Sequence, residues 1–375
     1  MPIAQLAWLN LAAQCRDENA VMFLVNQRNS LIWIIVATGT SIAKITRPRL
    51  TGIASRERVF RLLDEGMKKP ITWIAAPAGS GKTTLAASWL DTRKLPCLWY
   101  QIDEGDGDIA SFFYFMGEAA KKAAPRYKNT LPLLTPEYLQ SVPVFTRRYF
   151  EELFRRIKTP AVVVFDNYQD AQRGSEFNEM ISHALDTIPD GINVIVLSRA
   201  SPPQQLARFQ ANSRLHLIGW ENVRFTRDES EQLIKVHGHE GQSEDIVALL
   251  HQKTEGWAAG LVLLMAGAGS RGSGVFDFDK KAPAGLFDYF ASEVFDETDA
   301  EKRDFLLKTS FLPWMTAAAA EELTGNVKAG AILSGLNRNH YFTDRRPLPQ
   351  PVFQYHPLFK EFLQVRAKKS LRGMN

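Results

Sequence analysis

Residues 71–90, ITWIAAPAGSGKTTLAASWL, decide the fold of this chain. The apolar first part predicts a buried strand, the glycines predict a loop, and the last part predicts a helix. Residues 76–83 fit the phosphate-loop pattern G-x-x-x-x-G-K-[ST] at every position except the first, which is Ala76. The order strand, loop, helix is the context in which this pattern binds nucleotide phosphates. The sequence therefore predicts a nucleotide-binding α/β domain rather than a Gly-rich turn without a ligand.

The residue types in this loop suit a phosphate chain for chemical reasons. Gly79 and Gly81 lack a Cβ, so backbone N–H groups can turn toward an anion. The helix that begins near Lys82 directs unpaired N–H groups and its positive dipole end toward the same place. Lys82 would reach the β- and γ-phosphates, and the Thr83 hydroxyl would ligate Mg²⁺. The predicted cofactors are therefore ATP or ADP and Mg²⁺, and the predicted loop residues that bind them are Pro77, Ala78, Gly79, Ser80, Gly81, Lys82, Thr83 and Thr84.

Two later strands end in polar residues that extend this site. Residues 162–166, VVVFD, predict an apolar strand that ends in Asp166, where a carboxylate can hold Mg²⁺ beside the loop. The alternative is an aspartate that only caps the next turn. Asn167 follows, and an amide can orient a water molecule but cannot accept its proton at neutral pH. We therefore expect slow hydrolysis, with Asp170 as a possible substitute carboxylate.

A cation follows the next predicted strand, at residues 193–197. Arg199 could stabilise the charge of a γ-phosphate there, although a surface arginine after a strand is the alternative. Arg47 and His356 are weaker candidates on spacing alone. The catalytic residues predicted from the sequence are Lys82, Asp166, Asn167 and Arg199, and the predicted metal ligands are Thr83 and Asp166.

Composition sets wider limits on function. The 375 residues are 45% hydrophobic and 23% charged, which is typical of a globular protein with two or three domains. The net charge of +4 is too small to indicate nucleic-acid binding by itself. Cys15 and Cys97 are the only cysteines, which excludes a disulfide framework or a cysteine metal site and favours a cytoplasmic protein.

The first 45 residues are harder to interpret. The apolar run LIWIIVA at residues 31–37 is shorter than the ~20 residues needed to cross a bilayer. It also lies behind charged residues, unlike the apolar part of a signal peptide. Three interpretations remain open: an extra strand or helix on the core, a membrane or partner contact, or poorly organised sequence before the first domain.

Alternating patterns predict the order of the elements. Strands are expected at 71–75, 97–102, 161–165, 193–197 and 215–218, with helices at 59–67, 109–124, 149–157 and 177–188 and a proline-rich loop at 131–143. Alternating strands and helices predict βαβ units and a parallel sheet with helices on both faces.

After residue 225 the periodicity is helical. Thr226–Glu229 and Thr298–Glu301 both fit the capping box, and residues 267–274 resemble a flexible linker. Helices are expected at 285–295, 300–309, 317–323, 329–337 and 357–365, with a hairpin of 341–343 and 352–355. We expect an N-terminal extension at 1–45, a nucleotide-binding domain at 46–222, a small helical domain at 223–282 and a winged-helix domain at 283–375.

Several of these segments together resemble the STAND class of signalling ATPases, and within it the MalT-like regulators, also called large ATP-binding LuxR-type regulators. The resemblance runs from about residue 47 to about residue 365. The segments that carry it are Arg47-Pro48, APAGSGKTT at 76–84, DNYQ at 166–169, LSR at 197–199, EGWAAGL at 255–261, FDYFASEV at 287–294 and YHPLF at 355–359.

The resemblance implies the same three domains and a switch in which ADP holds a closed form, while ATP and an inducer favour an open form that self-associates. It implies that Arg199 senses the γ-phosphate and that His356 touches the β-phosphate of ADP. Asn167 departs from the family's usual acid. Members of the family also continue into a helical-repeat domain and a LuxR-type helix-turn-helix, whereas this sequence stops at Asn375 after a basic stretch at 366–372.

These features lead us to expect a signalling module whose partners are nucleotide and other protein chains, with no membrane partner. Direct sequence-specific DNA binding is not expected. The alternatives are an activator that binds DNA through its winged helix, a dedicated ATPase and a remnant without function.

Overall fold

The fold is described from a computed structural model, which covers residues 42–127, 129–171, 175–239, 241–269, 283–296, 298–346 and 350–372, and the backbone of 20–27 and 30–37. The backbone of β1 (Ala20–Gln27) pairs antiparallel with that of β2 (Ser30–Ala37) in a two-stranded sheet of their own. The apolar run at 31–37 is thus a strand, but it does not join the main sheet. A short 3₁₀ helix, Ala43–Ile45, follows.

Five parallel strands form the main sheet, as the alternating sequence pattern predicts. The order across the sheet is β4, β5, β6, β3, β7. Their bounds are β3 (Ile71–Ala75), β4 (Cys97–Gln101), β5 (Ala161–Asp166), β6 (Ile192–Ser198) and β7 (Leu215–Ile218). Because all five strands run parallel, their carboxyl ends lie at the same edge of the sheet, which we call the carboxyl edge.

Helices connect these strands. They are α1 (Glu57–Gly66), α2 (Lys82–Arg93), α3 (Ile109–Ala123), α4 (Val142–Arg156), α5 (Ser175–Asp186) and α6 (Ala207–Ala211). Short 3₁₀ helices lie at Glu104–Gly107, Pro136–Ser141, Tyr168–Ala171 and Gln204–Leu206.

Both faces of the sheet are buried, which explains its nearly continuous apolar strands. Val163 and Phe165 of β5 point into one core with the aromatic side chains of α3, α4 and α5. Val162 and Val164 point into the opposite core with residues of α1 and α2. Ile45 also packs into the first core, so the packed structure begins before the first β-strand of this sheet.

One helix begins earlier than the sequence predicts. Residues 131–143 were expected to form a loop and the helix to begin at 149, but α4 begins at Val142 and a 3₁₀ helix precedes it. Pro143 lies in the first turn of α4. A proline is tolerated there because the N–H that it lacks would have no partner within the helix. The prediction was wrong because it treated this proline as a helix breaker.

The C-terminal part of the chain is mostly helical. Its helices are α7 (Trp220–Val223), α8 (Arg227–Val236), α9 (Glu244–Thr254), α10 (Ala258–Gly269), α11 (Ala284–Phe290), α12 (Ala300–Thr309), α13 (Ala317–Thr324), α14 (Ala329–Arg338) and α15 (Pro357–Arg372). A π-helical turn, Ala291–Phe295, continues α11. The predicted hairpin is present, with its second strand as predicted at β9 (Val352–Tyr355), but its first strand is β8 (Thr343–Arg346) rather than residues 341–343.

The sequence predicts two capping boxes in this region, and the structure confirms one of them. The capping box of Thr226 and Glu229 is confirmed at the start of α8. The second predicted box is wrong, because Asp299 rather than Thr298 caps α12 by accepting from the Lys302 N–H. A carboxylate suits this position because it also meets the positive end of the helix dipole.

The last predicted features concern the linker and the basic stretch. Residues 270–274 of the predicted linker lie outside the described residues, and α10 extends to Gly269. Helix α15 continues through the basic stretch at 366–372 instead of ending at 365. In the part of the chain that the structure describes, no helix has the length and apolar character required to cross a bilayer.

Candidate functional site

The P-loop, residues 76–83, connects β3 to α2 at the carboxyl edge. Gly79 and Gly81 have φ angles of +66° and +82°, a region that residues with a Cβ rarely adopt. Gly81 is also the N-cap of α2, so the unpaired N–H groups of this helix begin at the loop. The two glycines are therefore required by the backbone, as the sequence predicts.

Lys82 folds back onto its own loop. Its Nζ donates hydrogen bonds to the carbonyl oxygens of Ala76 at 2.8 Å and Pro77 at 2.9 Å. Burial and the nearby positive charge of Arg199 lower the pKa of Lys82 to about 7, against the opposing influence of Asp166. The site thus holds an ammonium group whose charge is poorly compensated, which favours an anionic ligand.

Thr83 and Asp166 meet at the next position along the edge. The Thr83 hydroxyl donates to Oδ1 of Asp166 at 3.1 Å, and Asp166 is buried at the end of β5. Burial raises the pKa of Asp166 from its usual range, while Thr83 and Lys82 lower it in part. Asn167 has a φ of +58° and donates its backbone N–H to the same Oδ1 at 3.0 Å.

Arg199 leaves the end of β6 and pairs with a distant residue. Its guanidinium donates to Oε2 of Glu293 at 2.5 Å and to the Glu293 carbonyl at 3.4 Å. Glu293 belongs to the π-helical turn after α11, 94 residues further along the chain. The backbone N–H of Arg199 donates to the side-chain oxygen of Gln169 at 2.9 Å, which fixes its position on the edge.

A polar cavity of about 520 Å³ opens beside Arg199. It is lined by Asp103, Glu104, Gln169, Asp170, Arg199, Ala200, Ser292, Glu293, Asn339 and Tyr341. Burial raises the pKa of Asp170, and the positive charge of Arg199 opposes this shift. Asp170 therefore faces the same space as Arg199, which the sequence alone could not establish.

The P-loop is covered by residues that sequence reasoning did not select as site residues. The indole Nε1 of Trp257 donates to the Ala78 carbonyl at 2.9 Å, and the Ala259 N–H donates to the Gly79 carbonyl at 2.9 Å. A Cβ at Gly79 would come within 2.6 Å of both Ala259 Cβ and the Tyr289 hydroxyl oxygen. Trp257 and Ala259 lie in the EGWAAGL segment at 255–261, which carries part of the family resemblance but had no role assigned from the sequence.

A second cavity, of about 200 Å³, borders the end of the P-loop at Gly81. It is lined by residues 51–54, Arg56, Gly81, Thr84, Leu85, Ser88, Phe225, Leu233, His237, Ala258 and Val262. Its lining is more apolar than that of the cavity at Arg199, and it adjoins the start of α2 at Thr84 and Gly81. It is therefore suited to a flat, mostly apolar group attached to a phosphate chain.

The two remaining candidates, His356 and Arg47, have polar partners outside the P-loop. Nε2 of His356 is 2.9 Å from the carbonyl oxygen of Thr254, and the side chain is buried. His356 and Pro77 both line a small cavity of about 20 Å³. Arg47 pairs with Asp91 in the last turn of α2, at the opposite end of that helix from the loop.

His340 is a histidine that sequence reasoning missed. Burial, together with the charge of Lys82, lowers its pKa to about 4. It lines the same small cavity as Pro77, Trp257 and His356. Burial also lowers the pKa of His356, while its hydrogen bond to the Thr254 carbonyl and the charge of Asp344 oppose that shift.

Comparisons with known proteins agree with this architecture. Residues 291–374 match the family model described as the MalT winged helix domain. The chain is 31% identical over 330 residues to the HTH-type transcriptional regulator MalT of Vibrio campbellii, and this match covers 86% of the chain and 36% of the regulator. It is 29% identical over 336 residues to MalT of Serratia proteamaculans, covering 88% of the chain and 37% of the regulator. The chain thus spans little more than a third of these curated relatives.

A solved structure shows the same fold. The Walker-type ATPase PABY2304 of Pyrococcus abyssi superposes with a TM-score of 0.60 at 16% identity, covering 83% of this chain and 96% of that one. The resemblance inferred from the sequence is confirmed, since the chain has a P-loop ATPase fold, is similar to MalT regulators over most of its length and carries a match to their winged-helix domain.

Proposed function

We propose that this chain is a nucleotide-controlled switch in which phosphate groups and Glu293 compete for Arg199. The pair between Arg199 and Glu293 carries this proposal, because it links the carboxyl edge to the turn after α11. ADP would leave Arg199 with Glu293, whereas the γ-phosphate of ATP would offer it a second anion. A ligand can shift an equilibrium between two domain positions only by binding them differently, and this exchange supplies that difference.

The P-loop residues fit a phosphate chain. Ser80 Oγ is one of three buried side-chain polar atoms that have no hydrogen-bond partner among the described residues, and it lies within the loop. The positive φ angles of Gly79 and Gly81 and the weakly compensated charge of Lys82 support the same ligand. A buried hydroxyl without a partner is costly, and a phosphate oxygen would accept its proton.

Thr83 and Asp166 are the residues that would hold Mg²⁺. Both offer oxygen atoms, which this small cation prefers, and they already lie within hydrogen-bond distance. Only these two groups are proposed as protein ligands, in keeping with the few protein ligands that Mg²⁺ usually takes at phosphate sites. When bound, the ion would neutralise part of the phosphate charge.

The cavity beside Thr84 is proposed to receive the base of the nucleotide. Its residues come from α2, from the segment at 51–54 and from α8 and α10. A ligand in this cavity and on the P-loop would therefore touch both α2 and the C-terminal helices α8 and α10. Adenine rather than guanine is proposed from the similarity to MalT regulators.

Slow hydrolysis is proposed from the side chains around the phosphate site. Asn167 cannot accept a proton from water, and its backbone N–H is already bound to Asp166. Asp170 is one of the carboxylates that line the cavity beside Arg199, and we propose it as the group that would activate water. Slow hydrolysis suits a switch, because the bound ATP must persist for some time to hold one state.

We further propose the domain bounds 46–222, 223–282 and 283–375, with an extension at 1–45, and a cytoplasmic location. The similarity to transcription regulators supports self-association, or contacts with other proteins, as the output of the switch. His356 would help to hold the closed form by tying the turn before α15 to the end of α9.

The direct test is calorimetric binding of ADP and of ATP with Mg²⁺, followed by single-turnover hydrolysis. We expect tight binding of both and turnover below about one per minute, far slower than the ~1–10³ s⁻¹ of typical enzymes. Lys82→Ala should weaken binding by about tenfold or more, whereas Lys68→Ala, which removes a surface lysine paired with Glu65, should not. A folded wild-type protein that binds neither nucleotide would refute the proposal.

A further inference from the structure

The contact between Trp257 and the P-loop has a geometric consequence. Trp257 is fully buried, and its indole N–H donates to the Ala78 carbonyl at 2.9 Å. The peptide that joins Ala78 to Gly79 is trans, because the cis peptide bond in the described residues is that between Thr159 and Pro160. In a trans peptide the C=O and the following N–H point in opposite directions. A carbonyl held by Trp257 therefore turns the Gly79 N–H away from the indole ring.

The Gly79 N–H is available for a ligand. Within the described part of the chain it has no hydrogen-bond acceptor, whereas the next N–H, of Ser80, closes a turn to the Pro77 carbonyl at 3.3 Å. The Gly79 carbonyl is bound on the outside of the loop by the Ala259 N–H. The carbonyl groups of Ala78 and Gly79, on either side of the Gly79 N–H, are thus held by Trp257 and Ala259 near the start of α10.

The position of Trp257 is set in turn by aromatic rings from the C-terminal region. Its ring stacks on Phe290 with centroids 5.2 Å apart, and lies edge to face with Phe342 at 4.9 Å. Tyr289 is a third neighbour, at 5.3 Å, and its hydroxyl group also borders Gly79. A movement of α11 or of the segment around Phe342 would therefore move the indole donor.

We infer that Trp257 is a positioning residue for phosphate binding, whose indole N–H holds the Ala78 carbonyl outward and so directs the Gly79 N–H to a phosphate oxygen. The inference rests on the proposed nucleotide binding and gives it a second link to the C-terminal region, independent of Arg199. A donor that is fixed in advance costs no reorganisation when the ligand binds, which raises affinity for the phosphate part of the nucleotide alone.

The test is Trp257→Phe, which keeps an aromatic ring between Phe290 and Phe342 but removes the N–H donor. Trp89→Phe is the matched control, because Trp89 is also fully buried and donates its indole N–H at 2.8 Å, in its case to Asp64 of α1. Binding of ADP and of adenosine is measured by calorimetry for the wild type and both variants. We expect Trp257→Phe to weaken ADP about tenfold and to leave adenosine unchanged, since one hydrogen bond is worth roughly that factor.

Equal losses for ADP and adenosine would overturn the inference, because they would show a packing role. Unchanged ADP affinity would overturn it as well, and wild-type protein that fails to bind ADP would instead refute the proposed function. If Trp257→Phe does not fold, Trp257→benzothienylalanine, a two-ring isostere without the N–H, replaces it. The same selective loss of ADP affinity is expected, and ADP affinity equal to that of the wild type would again overturn the inference.

Discussion

Lys82 and Arg199 are two cations at one edge of the sheet, but they are held in different ways. Lys82 bonds to carbonyl oxygens five and six residues earlier in its own loop, whereas Arg199 bonds to a carboxylate 94 residues away. A phosphate that displaces the contacts of Lys82 rearranges only the loop. A phosphate that displaces Glu293 from Arg199 releases a separate part of the chain. In the proposed switch, Lys82 would therefore supply affinity, and Arg199 would couple affinity to structure.

The largest effect is expected from Lys82→Met, which keeps the length of the side chain but removes its charge. Charged hydrogen bonds to phosphate contribute about 1.5–3 kcal/mol. The affinity for ADP should therefore fall by about 10- to 100-fold. Calorimetry measures this loss. An affinity within twofold of the wild type would show that Lys82 does not contact the ligand.

The lowered pKa of Lys82 predicts proton uptake on binding. Burial holds the pKa at about 7 in the free protein, and a bound phosphate would raise it again. Above pH 7 binding should therefore take up protons, and affinity should fall as pH rises, at most about tenfold per pH unit for one proton. Calorimetry at pH 8 in buffers of different ionisation enthalpy measures the uptake. Equal heats in all buffers would contradict the prediction, and Lys82→Met should abolish the uptake.

The same pKa has a consequence for stability, with a defined sign. In the unfolded chain the pKa of Lys82 returns to 10.5, so between about pH 7 and 10.5 the unfolded state binds more protons than the folded state. The contribution of Lys82 to the free energy of unfolding should therefore rise with pH across this window. Denaturant unfolding at several pH values, compared between wild type and Lys82→Met, isolates this contribution. A wild-type curve parallel to that of the variant would contradict it.

A smaller effect is expected from Glu293→Gln, which weakens the competitor for Arg199. Both side chains are partly exposed, so the pair is worth no more than about 1 kcal/mol, or about fivefold in affinity. ATP with Mg²⁺ should bind up to about fivefold more tightly while ADP affinity stays the same. Asp304→Asn, which breaks the exposed pair with Lys308 in α12, is the control. An equal gain in affinity for ATP and for ADP would argue against competition for Arg199.

The smallest effect is expected from Arg47→Ala. Arg47 pairs with Asp91 on the surface at the far end of α2, and such pairs contribute about 0–1 kcal/mol to stability. Nucleotide affinity should be unchanged, as measured by calorimetry. A clear loss of affinity would place Arg47 in the binding site, for which it was a candidate on spacing alone.

The sequence predicted which candidate side chains lie at the carboxyl edge, but not the contacts that they receive from distant segments. Lys82 and Thr83 lie at fixed offsets in one strand–loop–helix unit, and Asp166 and Arg199 follow strands whose carboxyl ends must share an edge. Nothing local to Glu293 or Trp257 shows which group each will meet, since their partners are 94 and 179 residues away. The misplaced cap at Thr298 had a different cause, because Asp299 beside it competes for the same helix N-terminus.

The most direct test of coupling is amide hydrogen exchange of residues 284–296 in two nucleotide states. The chain is saturated either with ADP or with a non-hydrolysable ATP analogue and Mg²⁺, and exchange is followed by mass spectrometry. Competition for Arg199 predicts faster exchange in this segment with the ATP analogue than with ADP. Equal exchange in the two saturated states would show that the phosphates do not act on Glu293, and the central claim would fail.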